Sequence, residues 1–319
     1  MSTARDVLTP ATLSMLQTIA QAGSFAAAAR SLGLVPSALT YRVRQIEDAL
    51  DVLLFDRSSR QARLTPSGAE LLLEGGRILQ EIDSMANRVK RVATGWEPEL
   101  TIAIDGIIAK QTVMELCDSF FALAPPTRLR LRDETLAGTL GALSSGQADL
   151  AIGVVDPSTT TDVHARLLGE VHFVFAVAPH HPLAGAPEPL ADLLVRQHRA
   201  VAAADSIQRG HGLTIGLLPG QDVFTVATMQ AKLDAQLRGL GAGFLPECMA
   251  RAYIESGHLV VRKTERSQRV ARLHYAWRGA NRSRQGRALQ WWLSQLESPA
   301  TRMALLDPMA RMGSVKQTP

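Results

Sequence analysis

Between Thr65 and Thr94, apolar residues recur in steps of four and three, at Leu71, Gly75, Ile78, Ile82, Met85, Val89 and Val92. That spacing is a heptad seam over about thirty residues, roughly 45 Å long if wholly helical. A helix facing a globular core carries a wider apolar stripe than two positions per heptad. The seam therefore predicts a helix that pairs with another helix, through Leu71, Ile78, Ile82, Met85 and Val89, rather than one packed wholly on its own domain. It also separates two unlike regions. Before it lie short helices and tight turns; after Gly95-Trp96-Glu97-Pro98, β-type runs alternate with helical ones.

The first region is punctuated by helix signals. Thr9 precedes Pro10 as an N-cap followed by proline at the first helical position, and Gly23 stops the helix that carries Leu13, Leu16 and Ile19. Ser24 can cap a second helix to Leu32, which Gly33 ends, and Pro36 opens a third that runs to about Leu50. Two helices joined by a short glycine-containing turn form a helix-turn-helix outline. On the third helix, Leu39, Val43, Ile46 and Leu50 share one face, and Ser37, Thr40, Tyr41 and Arg44 lie toward the other. Its start is polar and free of acids, as a helix entering a major groove N-terminus first requires. Leu53–Arg57 and Arg63-Leu64 then read as two short strands around a basic turn, a wing suited to phosphate contacts. Charge alone argues little: from Arg30 to Arg63 there are six basic residues against four acids, and the whole chain carries a net +4.

In the last region, Leu100–Ile104, Leu129–Arg132 and Asp149–Gly153 read as strands separated by helices, a β-α-β-α-β unit with a parallel sheet. A second such unit is expected from Val171 to about Val261, before a returning strand Leu273–Trp277 and a final helix around Trp291, Trp292 and Leu296. Two such lobes resemble a periplasmic-binding-protein-like fold, with a ligand cleft at the carboxyl ends of the strands. Two cysteines in 319 residues cannot make a disulfide framework, so a reducing, cytoplasmic setting is expected. No run approaches the ~18 apolar residues of a membrane span, and the first residues lack a secretory signal pattern.

Many positions together resemble the LysR-type transcriptional regulators: Ala22-Gly23-Ser24-Phe25, Ala27-Ala28-Ala29, Leu32, Ser37-Ala38-Leu39-Thr40, Ile46-Glu47, Leu50, Leu54-Phe55, Arg57, Leu64-Thr65 and Gly68. The chain departs from the family pattern in having Thr40 for serine and Asp51 where glycine is usual. Thr40 keeps the hydroxyl, and Asp51 tolerates a left-handed turn. The resemblance implies a winged helix-turn-helix over 1–65, a linker and dimerisation helix over 66–94, and a two-lobed effector domain over 95–298, its lobes about 96–160 plus 270–298 and 161–269. Residues 299–319 form an unassigned tail. It implies double-stranded DNA with a partly palindromic promoter site, a small-molecule effector and a homodimer or homotetramer as partners, with RNA polymerase a candidate, no membrane and no cofactor. DNA contacts are expected at Ser24, Ser37, Ala38, Thr40, Tyr41 and Arg44, with Arg57 and Arg60 in the wing. By position, the effector cleft would be lined by Asp105, Gly106, Ile107, Thr135, Gly153, Val154 and Thr225. Asp105 would repel an anion and Ile107 and Ile108 would offer apolar surface, so a neutral or aromatic, hydroxyl-bearing effector is expected.

Four other signals have bland readings. Gly239-Leu240-Gly241-Ala242-Gly243 follows a helix and precedes a strand, the reverse of a phosphate cradle, so Gly239 reads as a helix C-terminal glycine. His180 and His181 are adjacent, without a ligand partner at metal spacing, and read as part of a turn. Cys117, beside acids, and Cys248 read as structural thiols. The densest basic segment is 262–287, with nine Lys and Arg against Glu265, and reads as a solvated face or subunit contact. A solute-binding protein is opposed by the helix-turn-helix, and a two-lobed enzyme by the lack of a nucleophile–base, metal or cofactor pattern.

Overall fold

A computed structural model describes residues 3–56, 62–155, 157, 163–206, 216–266, 269–279 and 285–307, without the side chains at 84 and 88. Contacts divide the chain into Met1–Val89 and Lys90–Pro319.

The first unit contains α1 (Ala4–Val7), α2 (Pro10–Ala22), α3 (Phe25–Ser31), α4 (Pro36–Leu50), β1 (Phe55–Asp56), β2 (Arg63–Leu64) and α5 (Pro66–Thr94), which runs on past the division. The expected caps form. The Thr9 hydroxyl accepts from the Thr12 amide and the Ser24 hydroxyl from the Ala27 amide, at 3.3 and 3.2 Å. Asp51 ends α4 in the left-handed region at φ 53°, as its tolerance of that turn allows. The short α1 has no counterpart in the sequence reading. Leu16, Ile19, Ala28, Ala29, Leu39, Val43, Ile46, Leu54 and Phe55 form the core, and β1 and β2 pair antiparallel, Phe55 opposite Leu64.

The second unit contains β3 (Glu99–Asp105), α6 (Lys110–Phe121), β4 (Arg128–Glu134), α7 (Gly138–Ser144), β5 (Leu150–Val154), β6 (Val163–Val177), α8 (Asp192–Arg196), β7 (Ala200–Ala203), β8 (Val223–Val226), α9 (Met229–Leu237), β9 (Gly243–Pro246), α10 (Glu247–Glu255), β10 (Val260–Val261), β11 (Arg269–Arg278), α11 (Arg287–Glu297) and α12 (Pro299–Leu306). β4, β3 and β5 run parallel, and β11 joins antiparallel between β5 and β6. Alternation sorts the layers. Leu100, Ile102 and Ile104 of β3 meet Phe120 and Trp292, while Ala103 faces Ala142 and Leu143 of α7.

Three expectations change. The strand expected from Val171 begins at Val163: its first part pairs with β11, and only from Phe173 does it pair with β9. β6 thus runs as one strand from its pairing with β11 into its pairing with β9. The second lobe is not a copy of the first, since β9 and β10 pair antiparallel to β6 while β7 and β8 pair parallel to each other. Residues 299–306, set apart as tail by their polar sequence, form α12. It buries Ala304 and Leu305, and the carbonyls of these residues accept from the Thr112 hydroxyl and the Ala109 amide.

Candidate DNA interface and effector site

α4 turns Leu39, Val43 and Ile46 inward and leaves Ser37, Arg42 and Arg44 exposed, with Tyr41 63% exposed. Ala38 and Thr40 are half-buried, and the Thr40 hydroxyl donates to the Pro36 carbonyl at 2.9 Å, leaving its lone pairs outward. Ser24 is engaged as the α3 cap. Arg57 and Arg60 lie outside the described residues. Glu47 is turned away from this face: it is 4% exposed, and its carboxylate accepts from the Leu54 amide at 2.8 Å. A buried charge satisfied by backbone amides fixes the helix-to-strand junction. Sequence pattern placed Glu47 only at the far end of the helix.

The heptad seam divides along its length. Leu71 packs on the first unit's core and Gly75 against Leu13, so both are spent within the chain. Beyond them Ile78, Met85 and Val89 stand exposed, Val89 by 67%, with Ile82 half-buried between.

In the second unit, the carboxyl ends of β3, β4 and β5 converge. Asp105 is 3% exposed; one carboxylate oxygen accepts from the Ile107 amide at 2.9 Å and the other from the Leu136 amide at 3.0 Å. A Cβ on Gly153 would lie 2.6 Å from the Asp105 Cβ, so glycine admits that carboxylate. Asp105, Gly106, Thr135 and Gly153 are thus brought together, but Asp105 works as a clip between loops rather than as an open charge that repels anions. Ile107 and Ile108 are buried in the core instead of lining a surface, and Val154 packs among Ala142, Leu143 and Ala276. Thr225 is exposed on β8, opposite Ala202.

The sequence reading missed the clasp between lobes. Ser206, just after β7, accepts from the Thr135 amide at 3.0 Å and donates to Glu134 at 2.7 Å. Gly138 leaves room for it. A serine in a loop carries no signal until the second lobe is folded against the first.

Burial pushes the Asp105 carboxyl up to about 6, and does the same to Asp149, which accepts from the Thr101 amide. Folded chains therefore hold protons on these groups that unfolded chains have released, between the ordinary carboxylate range and about 6. Stability falls as pH rises through that window, by about 2–3 kcal/mol for each group. Thermal melts should show the second unit losing stability between about pH 4.5 and about pH 6.5, and Asp149→Asn should flatten that dependence.

The bland signals resolve structurally. Gly239, at φ 70°, ends α9, and the His181 ring accepts from the Leu183 amide. Burial raises both thiols, so the cause at Cys117 is desolvation rather than the adjoining acids. Part of the basic segment is paired within the chain: Arg262 pairs with Glu188 at 3.2 Å, Arg266 with Asp192 at 2.9 Å and Arg272 with Glu170 at 3.0 Å, while Arg287 lies over Trp96.

Residues 11–69 match the family described as bacterial regulatory helix-turn-helix protein, lysR family, and residues 93–299 match the LysR substrate binding domain. The chain belongs to the LysR family of transcriptional regulators. It is 34% identical over 287 residues to the uncharacterized HTH-type transcriptional regulator YeeY of Escherichia coli K12, covering 89% of this chain and 91% of that one. It is 36% identical over 291 residues to the probable HTH-type transcriptional regulator YhaJ of the same strain, covering 91% and 96%. Among solved structures, full-length AphB of Vibrio cholerae, a virulence activator of the same family, superposes with a TM-score of 0.56 at 19% identity, covering 89% of this chain and 97% of that one. Full-length LysG of Corynebacterium glutamicum with bound effector Arg gives 0.50 at 22% identity, covering 94% and 100%. As a LysR-type regulator, the protein joins a DNA-binding helix-turn-helix to an effector-binding module. No helix among the described residues is long and apolar enough to cross a membrane.

Proposed function

We propose that this regulator reads promoter DNA with the outer face of α4, using Ser37, Ala38, Thr40, Tyr41 and Arg44, with Ser24, Arg57 and Arg60 positioning the backbone. The observation that carries the reading is the polar first half of α4, exposed and acid-free above a buried apolar seam. It acts by binding and not by catalysis, in the cytoplasm. Two chains pair through Ile78, Ile82, Met85 and Val89 of α5, as a dimer or as half of a tetramer. That pairing places two recognition helices about one DNA turn, roughly 34–36 Å, apart on a partly palindromic site. The loops around Asp105, Gly106, Thr135, Gly153 and Ser206 form the junction that a small-molecule effector rearranges, with RNA polymerase a candidate partner on DNA. LysG, which binds Arg as effector, supports a receptor role for the second unit.

Arg44→Ala tests the DNA face. An arginine reading a base edge contributes about 1–3 kcal/mol of discrimination. The variant should lose preference for its own promoter fragment over a scrambled one in competition gel shifts. An unchanged preference would remove Arg44 from the interface.

A further inference from the structure

The inner face of α9 buries two polar side chains among Met229, Leu233 and Ala235. Lys232 and Gln236 lie one turn apart on it, 7% and 0% exposed. Among the described residues no carboxylate pairs with Lys232, and both amide atoms of Gln236 are buried without a hydrogen bond. β7 and β8 pack on this helix, and within the segment 204–222 that joins them, which carries Asp205 and Asp222, residues 207–215 include no Asp or Glu. β9 comes close to both side chains: a Cβ on Gly243 would lie 3.0 Å from Gln236 Nε2 and 3.5 Å from Lys232 Cε. Beside it is Arg269, a second cation that lies over the Phe173 ring and that no acid among the described residues pairs with. Met229, at the start of the same face, sits 4.0 Å from where a Gly106 Cβ would be, so the face begins at the junction of the lobes.

An ammonium taken out of water without a counter-charge, and an amide with neither atom paired, both oppose folding. Buried polar groups are usually satisfied, and among the described residues these two have no partner. We propose that Lys232 and Gln236, with Arg269 adding positive potential, form a receptor for a small 2-hydroxy carboxylate. The ammonium takes a carboxylate oxygen, the Gln236 Nε2 donates to the same group, and its Oε1 accepts from the ligand hydroxyl. Two cations disfavour the ammonium of an amino acid at the same place. Burial, with Arg269 beside it, holds the Lys232 ammonium down to about 8, so most of it is charged at neutral pH. This proposal departs from the expectation of a neutral effector and keeps its hydroxyl. The proposal rests on the second unit being an effector receptor.

Thermal melts of the full-length protein with lactate and malate, each beside its deoxy counterpart propionate or succinate, and with alanine, test it. Lactate or malate should raise the wild-type Tm more than the counterpart, and alanine should not. Lys232→Met should raise the ligand-free Tm by about 2–4 °C, by removing an unpaired charge, and abolish the response. Gln236→Leu should make hydroxy acid and counterpart equivalent. No response to either hydroxy acid, or a lower ligand-free Tm in Lys232→Met, overturns the site. A response that persists in Lys232→Met also overturns it, while leaving the receptor reading intact. Gel shifts run in parallel separate the two ideas: a response lost in Lys232→Met without any change in DNA binding upholds the site and sinks the effector role.

Discussion

Raising salt from about 50 to about 200 mM is expected to weaken binding to promoter DNA by about 10³–10⁵-fold. Such a loss corresponds to roughly 6–10 neutralised phosphates, each releasing condensed counterions. Arg30, Arg42, Arg44 and Arg63 are all exposed in the first unit, and two copies bring eight such side chains to one site. The whole-chain charge of +4 would suggest far less. What matters is that Glu47 is turned inward and that Arg262, Arg266 and Arg272 of the basic segment 262–287 are paired with acids of their own unit. Fluorescence anisotropy across a salt series measures the slope. A slope of one or two phosphates would mean that a single chain binds, or that this face is not the interface.

Gly68→Ala is expected to destabilise the first unit by about 3 kcal/mol or more, enough to abolish DNA binding at 37 °C. A Cβ there would lie 2.1 Å from the Leu54 carbonyl oxygen and 2.9 Å from its carbon. Neither side can give way easily. The Leu54 carbonyl accepts from the Thr65 amide, the Thr65 hydroxyl accepts from the Gly68 amide, and the Leu54 amide is held by Glu47. The clash is with backbone, so no rotamer relieves it. Gly76→Ala in the same helix is the control. Its new methyl would meet only the mobile end of Gln17, at 3.2 Å, and alanine gains helix propensity of about 1 kcal/mol. Melting curves should move in opposite directions for the two variants. Equal curves would show that the Leu54 carbonyl does not rest on Gly68 in solution.

Local chemistry made much of the fold legible. Thr9, Ser24 and Pro36 mark helix starts and Gly23 a helix end because capping depends on a few adjacent residues. The sort of large and small residues on the two faces of β3 follows from alternation alone. The site was less legible. Residues flanking the strand ends could be named, yet Ile107, Ile108 and Val154 belong to cores, and Ser206, Glu134 and Lys232 went unnoticed.

The sequence by itself determined the division at the heptad seam, the helix-turn-helix and the α/β alternation, because each rests on periodicity or capping within a few turns of chain. It also showed that the seam was too narrow for a core. Tertiary structure decided how that seam is used: Leu71 and Gly75 are consumed by the first unit, and from Ile78 onward the stripe is left exposed. It likewise decided the state of each charge. Whether Glu47, Asp105, Lys232 or Arg262 is clipped, paired or, among the described residues, without a counter-charge depends on groups brought from distant strands and loops.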